Sequence, residues 1–157
     1  MDSITYIEIN NPDTKAAICD HICHSLPGWF GIEEAIVDYS CGVRSKPFFA
    51  AYDINNTPLG FIALQECSAV ASEVYVMGIQ QAWHKQGIGN YFINWAKNYA
   101  RKNGNKLLLV KTLSSSHPDK NYAQTRAFYE HVGFSPLEEL PELWGKNCPC
   151  LNMVMFL

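Results

Sequence analysis

Apolar residues follow two different spacings along the chain. In the first half, short segments of alternating apolar residues bounded by turn residues predict strands at 4–9, 48–52, 59–65 and 70–79. The last three segments are joined by short turns, which is the pattern of an antiparallel meander. The first segment is typical of an edge strand.

Helical spacing predicts two helices between the first two strands. Asn11 offers a cap for the first helix, which is expected to run to about Leu26 because apolar residues such as Ile18 and Ile22 recur every four positions. Pro-Gly at 27–28 ends that pattern. A second, shorter helix is predicted at 32–39.

From Gly87 onward the apolar spacing becomes helical and then alternates with strands. A helix that starts there should end at Gly104, and a buried strand follows at 106–113. A further helix is predicted at 122–131, closed by Gly133, with final strands at 134–137 and 151–157. The helix from Gly87 has one apolar face, made of Ile88, Phe92, Trp95, Ala96 and Tyr99. A strand, helix, strand passage is a parallel crossover, so the predicted architecture is mixed.

Length and composition predict one globular domain, residues 1–157. The chain has 157 residues, 48% of them apolar, which is enough for one sizeable core. No apolar stretch approaches the roughly 20 residues that a membrane helix needs. The N-terminal Met1-Asp2-Ser3-Ile4 lacks a basic region and apolar run, so we expect a cytoplasmic protein whose six cysteines are reduced.

The net charge of −3 is distributed unevenly. Residues 1–80 carry 3 basic and 10 acidic side chains, whereas 81–157 carry 9 and 5. This basic half suits a small polyanion, but its charge is too low for a nucleic-acid partner that requires many phosphate contacts. The basic residues between 81 and 130 are Lys85, Lys97, Arg101, Lys102, Lys106, Lys111, Lys120 and Arg126.

Residues 84–89, His-Lys-Gln-Gly-Ile-Gly, lie where a predicted strand leads into a predicted helix. Glycines there allow a ligand to approach the backbone closely, and the helix N-terminus adds about half a unit of positive charge. An anion such as a pyrophosphate would fit. A tight turn without a ligand is the simpler alternative.

Two familiar nucleotide-binding motifs fit this turn poorly. A P-loop requires Lys and Ser or Thr after its last glycine, but Asn90 and Tyr91 follow Gly89. A dinucleotide-binding fold requires a small residue at the position of Phe92. It also requires a carboxylate about 20 positions after the glycines, but the segment there, 107–113, contains no Asp or Glu.

Three segments together resemble the successive motifs of the GNAT N-acyltransferases. They are residues 73–79 (EVYVMGI), 84–89 (HKQGIG) and 122–134 (YAQTRAFYEHVGF). The resemblance covers about 48–135, and Trp144 with 147–151 is similar to the tail of some bacterial members. One departure is His84, where the family has Gln or Arg. Another is the later helix, where Tyr122 and Thr125 replace the common Asn and Ala.

The resemblance implies a fold, a reaction and a coenzyme. The fold is α/β (α+β), with a mixed, mostly antiparallel sheet of six to seven strands, splayed in the middle and flanked by about four helices. The reaction is transfer of an acetyl group from acetyl-CoA to a primary amine of a small molecule or peptide, in a ternary complex. Neither a nucleic acid nor a membrane is expected as partner, whereas a homodimer is possible. The alternative is a non-catalytic acyl-CoA sensor.

The resemblance also assigns coenzyme-binding residues. In the family, main-chain N–H groups of the glycine turn hold the pyrophosphate of coenzyme A. The pantetheine arm binds main chain near Met77 and Ile79, between the strands that end near Ile79 and begin near Lys106. The residues assigned to the coenzyme are Met77, Ile79, His84, Lys85, Gln86, Gly87, Ile88, Gly89, Asn90 and Arg126.

Two residues are candidates for proton transfer. By the resemblance, Glu73 is a carboxylate that accepts a proton from the amine, and alternation places it on the strand face of Tyr75 and Met77. Tyr129 is the acid that protonates the departing thiolate. The alternatives are a solvated strand residue for Glu73 and a packed aromatic for Tyr129.

The segment 19–24, Cys-Asp-His-Ile-Cys-His, is a weak candidate for a metal site. Cys19 and Cys23 lie one helical turn apart, but the opposing pair of ligands is missing, and Cys148 and Cys150 could supply it only through tertiary structure. We therefore expect buried thiols and no metal.

Overall fold

The computed structural model describes residues 3–157. Met1 and Asp2, on which the expectation of no secretory signal partly rests, lie outside the described residues. In chain order the elements are β1 (Thr5–Glu8), α1 (Pro12–His24), α2 (Glu33–Gly42), β2 (Phe48–Tyr52), β3 (Pro58–Ser68), β4 (Ala71–Ile79), α3 (Ile88–Lys102), β5 (Leu107–Leu113), α4 (Lys120–Val132), β6 (Ser135–Leu140) and β7 (Cys150–Phe156).

The seven strands form one sheet in the order β1-β2-β3-β4-β5-β7-β6. Its parallel pair joins Ala71–Val74 of β4 to Leu107–Val110 of β5, and α3 forms the crossover between them. The pairs β1/β2, β2/β3, β5/β7 and β6/β7 are antiparallel. The predicted mixed, mostly antiparallel sheet with four helices is confirmed, and β1 is an edge strand as predicted.

Several predicted boundaries are wrong by a few residues. α1 ends at His24 rather than Leu26, and α2 spans Glu33–Gly42 rather than 32–39. β3 reaches Ser68 rather than Gln65, because its exposed last residues still belong to the hairpin with β4. α4 begins at Lys120, since the Asp119 side chain accepts hydrogen bonds from the next main-chain N–H groups.

The ends of other strands differ in the same way. β1 is Thr5–Glu8 rather than 4–9, and β4 and β5 each begin one residue later than predicted. β6 is Ser135–Leu140 rather than 134–137, and β7 is Cys150–Phe156 rather than 151–157. Hydrophobic Phe134 is buried outside any strand, whereas β6 is mostly exposed, so hydrophobicity alone misplaces this strand.

The chain separates into two compact units, and the first comprises residues 3–65 and 75–96. Its core forms where α1 and α2 pack on inner strands, with Ile22 and Phe61 fully buried. Cys19 and Cys23 belong to this core, and their sulfur atoms are 4.0 Å apart. Both are therefore buried thiols, and the hydrogen bond with Cys19, followed by burial, raises the pKa of Cys23.

The second unit comprises residues 66–74 and 97–157. Its center is the antiparallel pair of β5 and β7, which runs from Leu107 opposite Phe156 to Leu113 opposite Cys150. Buried polar groups at the start of β4 are satisfied internally, because Ser72 donates a 2.5 Å hydrogen bond to Asn105. Asn105 in turn donates to the carbonyl of Ala69 at 3.2 Å.

Gly42, the last residue of α2, packs against a tyrosine ring of β4. A Cβ atom there would overlap the hydroxyl of Tyr75 and lie 2.8 Å from its Cζ atom. Glycine within a helix lowers stability by about 0.5–1 kcal/mol relative to alanine. A glycine at position 42 is nevertheless required, because the Tyr75 ring occupies the space that any side chain would need. The same ring contacts Tyr39 of α2, with centroids 5.5 Å apart.

His24 links the end of α1 to the start of α2. Its Nε2 lies 2.7 Å from a carboxylate oxygen of Glu33, and its Nδ1 lies 2.9 Å from the carbonyl oxygen of Asp20. Both ring nitrogens face acceptors, and the charged imidazolium can donate to both. The hydrogen bond to Glu33, followed by that to Asp20, raises the pKa of His24.

We expect His24→Gln to lower stability more in mild acid than in alkali. A histidine with a raised pKa in the folded state contributes stability below its unfolded pKa of about 6.5, and the contribution is lost as pH rises through the raised value. Chemical unfolding at pH 5.5 and 9 measures this difference. His21→Gln, an exposed histidine of the same helix, is the control; an equal effect of His24→Gln at both pH values would contradict the link.

Candidate functional site

The turn between β4 and α3 contains two residues with positive φ. They are Lys85, at 62°, and Gly87, at 89°. Positive φ is unfavourable for lysine but is readily adopted by glycine. The backbone of the turn is therefore strained at Lys85 and relaxed at Gly87. A Cβ atom on Gly87 would have no neighbour within 4 Å, so the main chain here borders open space.

α3 begins directly after Gly87, whose carbonyl accepts the first helical hydrogen bond, from Tyr91 at 3.2 Å. The first N–H groups of a helix lack intrahelical partners. Those of Ile88, Gly89 and Asn90 belong to this first turn. The predicted anion-binding residues therefore share one helix start beside an open surface, as the sequence indicated.

His84 stabilises the turn through contacts with Ile79 and Trp29. Its Nε2 lies 2.7 Å from the carbonyl oxygen of Ile79, the last residue of β4. Its ring also contacts Trp29 edge to face, with centroids 5.4 Å apart. Gln86 adds a 3.2 Å hydrogen bond from its side-chain amide to the carbonyl of Ala82. These contacts connect the end of β4 to the turn and to the segment after α1.

Met77 and Ile79 are both half-buried residues of β4. Burial alternates through this part of the strand, because Tyr75, Met77 and Ile79 are half-buried whereas Val76 and Gly78 are buried. Met77 therefore lies on the same strand face as Tyr75, as the sequence predicted.

Glu73 lies in the second unit and is buried, with 8% of its side chain exposed. The alternative of a solvated strand residue is therefore wrong. Its carboxylate forms a short ion pair with the ammonium of Lys111 on β5, whose side chain is 27% exposed. Lys111 is one of the basic residues that the sequence suggests for a polyanion, but in the structure it pairs with Glu73.

The thiols of Cys67 and Cys150 lie close enough to the Glu73–Lys111 ion pair to interact with its charges. Burial raises the pKa of Cys150 to about 11, and nearby Lys111 and Glu73 act on it in opposite directions. Burial, with Glu73, also raises the pKa of Cys67, although Lys111 lowers it. Both thiols are neutral at physiological pH, so the carboxylate and the ammonium are the charged groups of this cluster.

Tyr129 is a buried residue of α4, with 6% of its surface exposed. Its ring contacts Phe128 and Phe134, with centroids 5.5 and 5.6 Å away. Gly133, at φ 115°, ends the helix, and the N–H of Phe134 donates to the carbonyl of Tyr129 at 2.9 Å. The helix end thus fixes the position of the tyrosine.

Arg126, assigned to the coenzyme from the sequence, has an internal partner. Its guanidinium donates a 2.7 Å hydrogen bond to the carbonyl of Leu113 at the end of β5. This bond ties α4 to β5. The guanidinium has further N–H groups besides the one that binds Leu113, and a contact between them and the coenzyme is still a proposal.

Sequence reasoning missed the role of Lys111 and an aromatic group in the first unit. Phe30 and Tyr39 pack edge to face at 6.1 Å, and the ammonium of Lys46 lies 4.2 Å from the centroid of Tyr75. The signal for Lys111 is a lysine inside a mostly apolar strand. The aromatic contacts depend on how α1 and α2 pack in three dimensions, and the spacing of residues in the sequence does not predict that packing.

Comparison with known proteins defines the family. A family model described as acetyltransferase (GNAT) domain matches residues 44–136, more than half of the chain. The chain therefore belongs to the GNAT acetyltransferases, as its motifs predicted. A search of curated proteins finds no match.

Solved structures share the fold at low identity. A GNAT-family protein from Desulfovibrio desulfuricans is 16% identical, with a TM-score of 0.82 over 98% of this chain and 99% of its own. An aminoglycoside 6'-N-acetyltransferase complexed with coenzyme A is 17% identical, with a TM-score of 0.71 over 98% and 96%. A GNAT acetyltransferase from Elizabethkingia anophelis with acetyl-CoA bound is 18% identical, with a TM-score of 0.67 over both full chains.

Within residues 3–157, none of the helices combines the length and apolar character required to cross a membrane.

Proposed function

We propose that the chain transfers an acetyl group from acetyl-CoA to a primary amine, in a ternary complex of enzyme, coenzyme and acceptor. The observation that carries this proposal is the open glycine turn at the start of α3 in a chain of the GNAT family. Two similar structures hold coenzyme A or acetyl-CoA, which supports acetyl-CoA as the cosubstrate.

Main-chain N–H groups at the start of α3 would bind the pyrophosphate of the coenzyme. The helix dipole favours an anion there, and Lys85 adds an exposed positive charge. Met77 and Ile79 would contact the pantetheine arm through main chain. His84 would act indirectly, because its bond to Ile79 holds the strand end next to the turn.

The acceptor amine must lose a proton before it can attack. With a reference pKa near 10.4, deprotonating a lysine-like amine at pH 7 costs about 4.6 kcal/mol. Glu73 would accept this proton, directly or through water, since it is a buried carboxylate in the family's motif. The amine nitrogen then bonds to the thioester carbon, and the carbon–sulfur bond breaks. The proton that the nitrogen still has to lose would replace the one that Tyr129 gives to the departing sulfur.

Tyr129 would protonate the departing thiolate. A phenol donates a proton without first being charged, and the end of α4 fixes this residue in place.

We propose further that the acceptor is cationic, either a small molecule or a flexible peptide segment. The region near Trp29 and Phe30 carries three exposed carboxylates, Glu33, Glu34 and Asp38. Glu33 binds His24, so attraction of a cation would depend mainly on the other two. Negative charge near an acceptor site raises the local concentration of cations, and salt screens the effect.

A panel of amines tests the function and the acceptor class together. We expect release of free thiol from acetyl-CoA that depends on the acceptor, is fastest with cationic amines such as polyamines or aminoglycosides, and slows as ionic strength rises. Binding of acetyl-CoA without thiol release for any amine would favour the acyl-CoA sensor. Preference for neutral or anionic amines would contradict the cationic acceptor alone.

Gly87→Ala should weaken acetyl-CoA binding by tenfold or more, because the added methyl group would stand where the pyrophosphate approaches the backbone. Calorimetry measures the affinity. Gly104→Ala is the matched control, since Gly104 also has positive φ, 77°, and open space around a Cβ atom. The control shares the backbone strain but should bind normally; unchanged affinity of Gly87→Ala would refute this site.

Tyr129→Phe removes one hydroxyl and should retain packing and coenzyme affinity. General-acid assistance typically contributes 10²–10⁴-fold, so kcat should fall by about that range, or about 3–5 kcal/mol of barrier. Tyr122→Phe removes a hydroxyl from the same helix and serves as the control. Wild-type turnover by Tyr129→Phe, with chemistry rate-limiting, would make Tyr129 a packing residue only.

A further inference from the structure

A lysine lies inside β5, the strand that pairs with both β4 and β7. In the register of the parallel pair, Glu73 lies opposite Leu109. Lys111 is two residues further along and therefore points to the same face of the sheet. Its ammonium contacts the Glu73 carboxylate, which is almost completely buried. The ion pair thus spans the only parallel pair of strands among the described residues.

The surroundings of the pair contain polar but uncharged groups. Asn152 of β7 lies directly opposite Lys111 and is 9% exposed. Its side-chain oxygen is buried without a hydrogen-bond donor among residues 3–157. Cys67 and Cys150 are the nearby thiols, and both remain protonated. An acceptor oxygen and neutral thiols do not offset a negative charge, so the cation of Lys111 stabilises the carboxylate.

Stability alone does not explain such a pair. Replacing a buried ion pair with apolar residues of similar size is often neutral or stabilising, because both charges lose their hydration. β5 is otherwise suited to apolar packing, with Leu108 and Val110 buried. A charged pair retained in this strand is therefore better explained by the ionisation state that it imposes on Glu73.

We propose that Lys111 is a positioning residue for acetyl transfer, whose ammonium keeps Glu73 in the carboxylate form and holds it in one orientation. The inference rests on the proposed function, in which Glu73 accepts the proton of the acceptor amine. The ammonium of Lys111 keeps its own protons throughout. Glu73 takes one proton from the acceptor, the nitrogen–carbon bond forms, and the carbon–sulfur bond breaks as Tyr129 protonates the sulfur. The remaining excess proton of the nitrogen then restores the phenol of Tyr129.

A direct titration of Glu73 tests this role without requiring turnover. In protein labelled with ¹³C at the glutamate carboxyl groups, the resonance of Glu73 is the one missing from Glu73→Gln. In Lys111→Met it should titrate at a higher pH than in the wild type, because the ammonium that contacts the carboxylate has been removed. Lys111→Arg should restore the wild-type titration. An unchanged titration in Lys111→Met would overturn the proposal.

Kinetics provides the second readout. Lys111→Met should lower kcat tenfold or more at neutral pH and move the acidic limb of its pH profile to higher pH, with acetyl-CoA affinity within twofold of wild type. Lys102→Met, an exposed lysine of α3, is the control. In the Glu73→Gln background Lys111→Met should have little further effect. An unshifted acidic limb, or an equal loss in the Glu73→Gln background, would contradict the role.

The two proposals fail in distinguishable ways. Wild-type protein that binds acetyl-CoA but acetylates no amine contradicts the proposed function, while the carboxyl titration still decides whether Lys111 controls Glu73. Normal wild-type turnover with an unshifted Lys111→Met contradicts only the role of Lys111. If the methionine variant does not fold, Lys111→Gln, which keeps a hydrogen-bond donor without the charge, is used in the same two measurements.

Discussion

The parallel pairing of β4 with β5 is the constraint on which the rest of the candidate site depends. Parallel neighbours cannot be joined by a tight turn, so the chain must leave the end of β4 and return to the start of β5 through a crossover. Here that crossover contains the turn at Lys85–Gly87 and the helix α3. A helix N-terminus that follows the end of β4 after the connecting residues 80–87 is thus a result of topology, and the glycine makes its backbone accessible. The pairing covers only four residues of each strand, 71–74 and 107–110.

The sheet also carries charge where a strand would ordinarily be apolar. Glu73 and Ser72 are adjacent buried residues of β4, and each has its own partner, Lys111 and Asn105. Ser72 and Asn105 satisfy each other as neutral groups, which costs little. The ion pair removes Glu73 almost completely and Lys111 partly from water, which is costly unless close geometry and further hydrogen bonds offset the lost hydration. The two partnerships are adjacent along β4, and only the ion pair carries charge.

The sequence predicted the order and type of every main element, and it predicted β2, the Asn11 cap at the start of α1 and the glycine at the end of α4 accurately. These features depend on local rules: alternation, an Asn at a helix start, and Gly133 with positive φ at a helix end. It could not predict the end of β3, whose last residues are exposed and paired only through the hairpin.

The contacts of the candidate site were less predictable for a related reason. Lys111 meets Glu73 because of strand register, and His24 meets Glu33 because of the turn between two helices. Both contacts join residues from different elements, and patterns within a single helix or strand do not predict such contacts. The motifs of the family located Glu73 and Tyr129, whereas the burial of each emerged only in three dimensions.

The packing of Tyr75 against Gly42 has a consequence for how this family of sequences can diverge. The helix end and the strand are 33 positions apart in the chain, yet one side chain fills the space that the other position would need for any substituent. Removing only the tyrosine hydroxyl would not open that space, since the ring carbon is itself within 3 Å of the hypothetical Cβ atom. In related chains, a larger residue at position 42 should therefore be found with a smaller one at 75. The sizes of the two side chains should therefore covary, so that together they fill the same space.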